Sequence, residues 1–285
     1  GTRSGEDIEE LHDMRVATRR MRAALDIFSS YYSPKAIKPI WKGLRRTGRN
    51  LGGVRDMDVL LEHLKGYIQT LPEAARDGME PLVSEWQTQR ELRRTTMNEF
   101  LDSKAYQRFK IQMNHFVQTP AMDRPSLVSD YPTPRLVKEA APLLIYTRLT
   151  SVRAYETILD HASLDQLHTL RIEFKKLRYA VEFFREVLGP QAKDVINTLK
   201  KVQDHLGELN DARVTCQLLT EFVARWEIQQ IQQPIGKRKT IEPVVAYLAA
   251  RHADRHRLMV CFPETWETFV HSNFRQALAL AVAEL

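Results

Sequence analysis

The sequence predicts an all-helical protein built as two helical bundles related by approximate twofold symmetry. Three observations predict it. Helix-forming Leu, Ala, Glu, Arg and Lys are abundant in a 285-residue chain in which glycine (11) and proline (13) are sparse. Apolar residues recur at the three-four spacing of amphipathic helices nearly throughout. One basic helix is also written twice: Leu11-His12-Asp13-Met14-Arg15-Val16-Ala17-Thr18-Arg19-Arg20-Met21-Arg22 returns 156 residues later as Leu167-His168-Thr169-Leu170-Arg171-Ile172-Glu173-Phe174-Lys175-Lys176-Leu177-Arg178. An apolar content of 43% is enough for a sizeable core.

In chain order, periodicity places helices at about 5–31, 35–51, 55–70, 79–101 and 104–118. Ser33-Pro34, Gly52-Gly53 and Leu71-Pro72 punctuate them. Pro120, Pro125, Pro132 and Pro134 mark a linker over 119–134, which separates a first half (1–118) from a second (135–285). Helices then follow at about 135–160, 164–188, 190–207, 210–231, 240–258 and 263–283, broken at Gly189-Pro190, at Pro234 with Gly236, and at Phe262-Pro263. A second duplicated element matches Leu44-Arg45-Arg46 and Leu51-Gly52-Gly53-Val54-Arg55-Asp56 with Leu199-Lys200-Lys201 and Leu206-Gly207-Glu208-Leu209-Asn210-Asp211, at an offset of 155. The Leu-Gly dipeptides are expected to end their helices, with Asp56 and Asp211 just beyond as capping or bracing carboxylates. A weaker echo pairs Ala105-Tyr106 and Phe109 with Thr265-Trp266 and Phe269.

Assigning about 100° per residue separates two faces on the duplicated helix. Leu11, Met14, Thr18, Met21, Leu25 and Phe28 form a core stripe, and His12, Arg15, Arg19 and Arg22 fall together beside it. The second copy places Leu167, Leu170, Phe174, Leu177, Val181 and Phe184 on the core, with His168, Arg171, Lys175 and Arg178 alongside. Arg20 and Lys176 lie well round from these rows. Like charges one turn apart repel by a few tenths of a kcal/mol per pair. Asp26 and Glu182, each four residues after the last arginine, cannot offset three cations alone. A bound polyanion can, through forked guanidinium contacts to phosphate-type oxygens. Arg45, Arg46, Arg49, Lys200, Lys201 and His205, on the second repeated element, are expected to support the site as wall residues.

The net charge of +6 is modest, but its placement is telling. Residues 11–28, 41–49, 167–184 and 199–206 hold 14 Lys or Arg against 5 Asp or Glu, while the rest of the chain holds 28 against 31. The excess positive charge is therefore concentrated in the repeats. The plainer readings are a solvated helix face for each row and a hydrogen bond within the bundle for each histidine.

No phosphate-cradling glycine loop, cysteine pair with zinc spacing, His-Glu-x-x-His helix or nucleophile elbow is present. No catalytic residue, cofactor or metal ligand is therefore assigned, and the chain is expected to act without catalysis. His252 and His256 stand at i,i+4 around Asp254, but Arg251, Arg255 and Arg257 beside them disfavour a metal. Cys216 and Cys261 sit in no metal or redox spacing, which fits a reducing cytoplasm. No apolar run is long enough to span a bilayer, so no membrane partner is expected. The start at Gly1 suggests an excised domain, with further sequence expected upstream.

These residues resemble those of a known family, the CHAD domain, or conserved histidine α-helical domain. The resemblance rests on His12-x-x-Arg15-Val16-x-x-Arg19-Arg20-Met21-Arg22, on His168-x-x-Arg171-Ile172-x-x-Lys175-Lys176-Leu177-Arg178-Tyr179, and on the Leu51-Gly52 to Asp56 and Leu206-Gly207 to Asp211 segments. It spans nearly the whole chain. The resemblance implies two four-helix bundles with internal pseudo-twofold symmetry, forming one unit with a basic central channel. It also implies binding of inorganic polyphosphate and association with polyphosphate granules. Carried over residue by residue, the binding set is His12, Arg15, Arg19 and Arg22 with His168, Arg171, Lys175 and Arg178. One departure is that little chain precedes His12, so the first half is expected to be truncated or to borrow packing. Family members often accompany a CYTH-type triphosphate-hydrolysing domain, which is not visible in this chain. The rival readings are a nucleic-acid binder that holds the phosphate backbone, and an accessory domain of a polyphosphate-processing enzyme. Against the former, the rows lack interleaved aromatics for base stacking.

Overall fold

The computed structural model describes Thr2 and residues 8–119, 136–271 and 273–285. The proline-rich linker, from Pro120 on, lies outside the described residues, as do residues 5–7 of the first expected helix. The described residues are helical and contain no strand: α1 (Ile8–Ile27), α2 (Pro34–Thr70), α3 (Glu73–Arg76), α4 (Glu80–Asp102), α5 (Lys104–Gln118), α6 (Val137–Arg153), α7 (Leu164–Phe183), α8 (Ala192–Ile231), α9 (Glu242–Val260), α10 (Phe262–His271) and α11 (Phe274–Ala283). No helix among them is long and apolar enough to cross a membrane.

Proline punctuation is obeyed at Pro34, which opens α2, and at Pro72 and Pro190, which fall between helices. Ser163 builds a capping box at the start of α7, its hydroxyl accepting from the Gln166 amide while Gln166 Oε1 accepts from the Ser163 amide. The two Leu-Gly breaks are not obeyed. α2 and α8 run straight through Gly52-Gly53 and Gly207, so Asp56 and Asp211 are interior helical residues, not caps. A mid-helix glycine costs only about 1 kcal/mol against alanine. Burial of Leu51, Val54 and Met57 around the first, and of Leu206, Leu209 and Ala212 around the second, outweighs that cost.

The chain divides into two compact units, each assembled from three segments. The first takes residues 1–22, 38–120 and 212–254; the second takes 23–37, 121–211 and 255–285. The division falls inside α1, α2, α8 and α9 and so cuts across the halves 1–118 and 135–285. α8, 40 residues long, divides its length between the two units.

Among the described residues the first unit holds two apolar clusters. Met57, Leu60 and Leu64 of α2, Leu82 and Trp86 of α4, Leu219 and Phe222 of α8, and Val244 and Tyr247 of α9 form one. Leu11 of α1 closes the other against Leu51, Val54, Met97, Phe100 and Leu101. α5 buries no residue of its own. Instead, Phe109 lies on Gly43 of α2: a Cβ built there would overlap the ring.

In the second unit α6 packs along α7. Ala140, Ala141, Ile145 and Val152 of α6 are buried, as are all six residues predicted for the α7 core stripe. Phe174 meets Trp266 and Phe269 of α10 edge-on, at centroid distances of 6.1 and 5.2 Å.

Two predictions follow from this packing. Gly43→Ala forces the rigid Phe109 ring aside and should cost about 1–3 kcal/mol in chemical denaturation, an overpacking penalty. Tyr247 is 1% exposed, its hydroxyl has no hydrogen-bond partner among the described residues, and burial pushes its phenol up to about 12. The unfolded chain therefore ionises first. The stability that depends on a neutral Tyr247 is intact below pH 10 and lost as pH rises towards 12. Between pH 9 and 11, Tyr247→Phe should lose about 1 kcal/mol less stability than the unaltered protein, as measured by urea unfolding at both pH values.

Candidate anion-binding site

Amphipathic phase places each cation row. On α1 the core side chains Leu11, Thr18 and Leu25 are buried, which turns the neighbouring face outward. His12, Arg15 and Arg22 are half-buried there, and Arg19 is exposed. Two guanidinium groups lie over glycines of α2: a Cβ on Gly52 would be 3.7 Å from Arg15 Nε, and one on Gly48 would be 3.5 Å from Arg22 Nη1. Arg15 Nη2 donates to Asp56 Oδ1 at 2.8 Å, the bracing role expected for that carboxylate. The pair is open to water, with side-chain exposures of 37% and 58%.

In the second unit His168, Arg171, Lys175 and Arg178 of α7 are all half-buried. His168 Nδ1 and Asn210 Oδ1 of α8 are 2.7 Å apart. Because an amide oxygen only accepts, Nδ1 carries the proton. Arg171 lies over Gly207, with its Nε 3.9 Å from a Cβ built there. Arg178 stands 3.5 Å from Glu182, the carboxylate expected at the end of its row, and rests over the Tyr179 ring at 5.2 Å. Lys176 donates to Glu173 at 2.7 Å, apart from the row. In the first copy the corresponding acid goes elsewhere, since Asp26 is taken by Arg148 of α6 at 3.4 Å.

Arg22 and Arg178, equivalent by the repeat, each have a buried Nε with no hydrogen-bond partner among the described residues. Leaving a buried charged donor unmade costs more than an ordinary hydrogen bond contributes.

The wall residues divide. Arg45, Arg46 and Arg49 are exposed on α2, with Arg45 over Trp41 at 5.4 Å and Arg46 over Phe100 at 5.0 Å. Lys200 and Lys201 line an open depression along α8 together with Asp194 and Asp204. His205 is a bracing residue: its Nε2–H donates to the Leu258 carbonyl at 2.7 Å and its Nδ1 accepts from the Thr265 hydroxyl at 2.8 Å. Both ring nitrogens are thereby committed within the second unit, and none is left for a phosphate. Two residues that the sequence did not assign to the site belong to it: Gly48, one turn before Gly52 and beneath Arg22, and Asn210, which has no sequence signal of its own. Gly207, expected only as a helix end, lies beneath Arg171 as Gly52 lies beneath Arg15.

Among the described residues no group of His, Cys, Asp or Glu has an arrangement that could hold a metal ion. Near His252 and His256, Asp254 pairs with Arg251.

The family model of the CHAD domain matches residues 1–220. The CHAD domain structure from the plant Ricinus communis is 22% identical, with a TM-score of 0.61, and the match covers 98% of this chain and 83% of that one. PptA from Streptomyces chartreusis is 18% identical, with a TM-score of 0.62, over 97% of this chain and 91% of that one. At these identities the likeness establishes the fold. Among curated proteins none is similar enough in sequence to count as a relative.

The exposure of the Arg15–Asp56 pair sets its worth. Asp56→Ala should change unfolding free energy by no more than about 1 kcal/mol, measured by urea titration, as expected for a solvent-exposed ion pair.

Proposed function

Because the chain belongs to the CHAD domain family, we propose that it binds inorganic polyphosphate through the cation rows of α1 and α7, without catalysis. The observation that carries this reading is the matched pair of buried Nε atoms on Arg22 and Arg178. Each is a charged donor for which the described residues supply no acceptor, at the same place in two copies of one row of cations. A solvated helix face accounts for exposed Arg19 but not for these half-buried guanidinium groups.

A phosphate chain suits the row by charge and by spacing. From His12 to Arg22 the donors extend roughly 15 Å along the helix axis, each about one turn from the next. A linear polyanion meets several of them at once, while a single orthophosphate meets one or two. Guanidinium forks match tetrahedral phosphate oxygens, and Lys175 adds a point charge. Targeting to polyphosphate granules follows from such binding and is part of the proposal. The wall cations Arg45, Arg46 and Arg49 serve as a diffuse positive field, as do Lys200 and Lys201 to the extent that Asp194 and Asp204 allow.

Reversing one cation in each row tests the reading. Arg15→Glu with Arg171→Glu should weaken binding of long-chain polyphosphate at least about 100-fold by calorimetry, the loss of two charge-assisted contacts, with helical circular dichroism unchanged. Retained affinity in the folded variant overturns the site. Binding of the unaltered chain should fall steeply with added salt through counterion release. Displacement of polyphosphate by equal phosphate equivalents of single- or double-stranded nucleic acid would favour the rival reading, and release of orthophosphate with Mg²⁺ or Mn²⁺ would overturn the assignment as a pure binder.

A further inference from the structure

We infer that Asn210 positions His168, and that this makes the α7 row the histidine-dependent one of the two. The inference rests on the phosphate-binding reading above and deepens it.

The two copies agree in every cation of the row except for Lys175 in place of Arg19, but they differ at the position that partners His168. Aligned by the repeat, Asn210 of α8 corresponds to Arg55 of α2, because Leu206-Gly207 to Asp211 overlays Leu51-Gly52 to Asp56. An asparagine side chain offers a carbonyl acceptor; a guanidinium offers donors only. In the second unit that acceptor is used, with Asn210 Oδ1 2.7 Å from His168 Nδ1. In the first, residue 55 can accept nothing from His12.

This bond settles two properties of the His168 ring. It fixes the ring's rotation, so that less side-chain freedom is lost when a ligand arrives. It also commits the Nδ1 proton, leaving Nε2, on the far side of the ring, as the atom that meets a ligand. Nε2 then donates to a phosphate oxygen when protonated, or accepts from a P–OH group when not. Either way one proton is shared across a single defined contact. Arg171, one turn on from His168 and lying over Gly207, stands on the same face to take a neighbouring oxygen.

The near neighbours of Asn210 support a positioning role for it. Its Nδ2 lies 3.4 Å from Asp211 Oδ1, so the amide is oriented with its oxygen towards the imidazole. Without Asn210 the ring turns freely and takes its commoner Nε2–H form.

The test begins with the ligand-free full chain. Long-range ¹H–¹⁵N correlations of the imidazole ring should show His168 in the Nδ1–H form, Asn210→Ala should lose that signature, and Asn210→Asp, which keeps an acceptor, should retain it. With long-chain polyphosphate, Asn210→Ala and His168→Ala should each weaken binding by about five- to tenfold, the worth of one positioned hydrogen bond. The double variant should lose no more than His168→Ala alone, and His12→Ala should cost less affinity than His168→Ala. An unchanged His168 signature in Asn210→Ala, additive losses in the double variant, or an equal loss from His12→Ala overturns the inference. Failure of the unaltered chain to bind polyphosphate would sink the functional reading while leaving the imidazole spectra to decide the Asn210–His168 link.

Discussion

Repulsion among cations stacked one helical turn apart is the constraint to which the rest of each unit is fitted. On α1 and α7 the same helix must bury one face and carry like charges on the next. Burial is what permits this arrangement. Leu167, Leu170, Phe174, Leu177 and Val181, each at most 4% exposed, tie α7 to its unit with far more free energy than a few tenths of a kcal/mol per repelling pair can withdraw. The helix survives its own charge because the core holds it.

Relief of the charge is incomplete and differs between the copies. Asp56 takes Arg15 in the first unit and Glu182 takes Arg178 in the second, while Asp26, which the wheel places near Arg22, is drawn to Arg148. Among the described residues neither unit supplies an acceptor to the buried Nε of its last arginine. A surface whose charges were only solvated would expose those atoms to water. Each row is instead half-sunk between helices, where desolvation strengthens every contact that an anion would make.

The duplicated rows, their phase and their neighbouring apolar stripes were legible in the sequence, because a helix with 3.6 residues per turn converts spacing directly into facing. The same rule failed at Gly52 and Gly207. As punctuation a glycine signals a stop, yet here glycines at 48, 52 and 207 lie beneath guanidinium groups inside continuous helices. The division into units was not legible either. A long helix such as α8 carries one unbroken periodicity and gives no sign that its two ends belong to different compact bodies. His205 illustrates a third limit: its position on a basic, repeated helix suggested a ligand, but its partners Leu258 and Thr265 lie more than fifty residues away.

By itself, then, the sequence determined an all-helical protein with two matched cation rows, each set beside a core stripe, because helical periodicity and charge are local properties. Only the tertiary structure decided that Asp26 meets Arg148 of α6, where glycines make room for guanidinium groups, and that His168 holds Asn210 while His205 is spent on its own unit. Those outcomes depend on contacts between helices distant in the chain, and no local spacing encodes them.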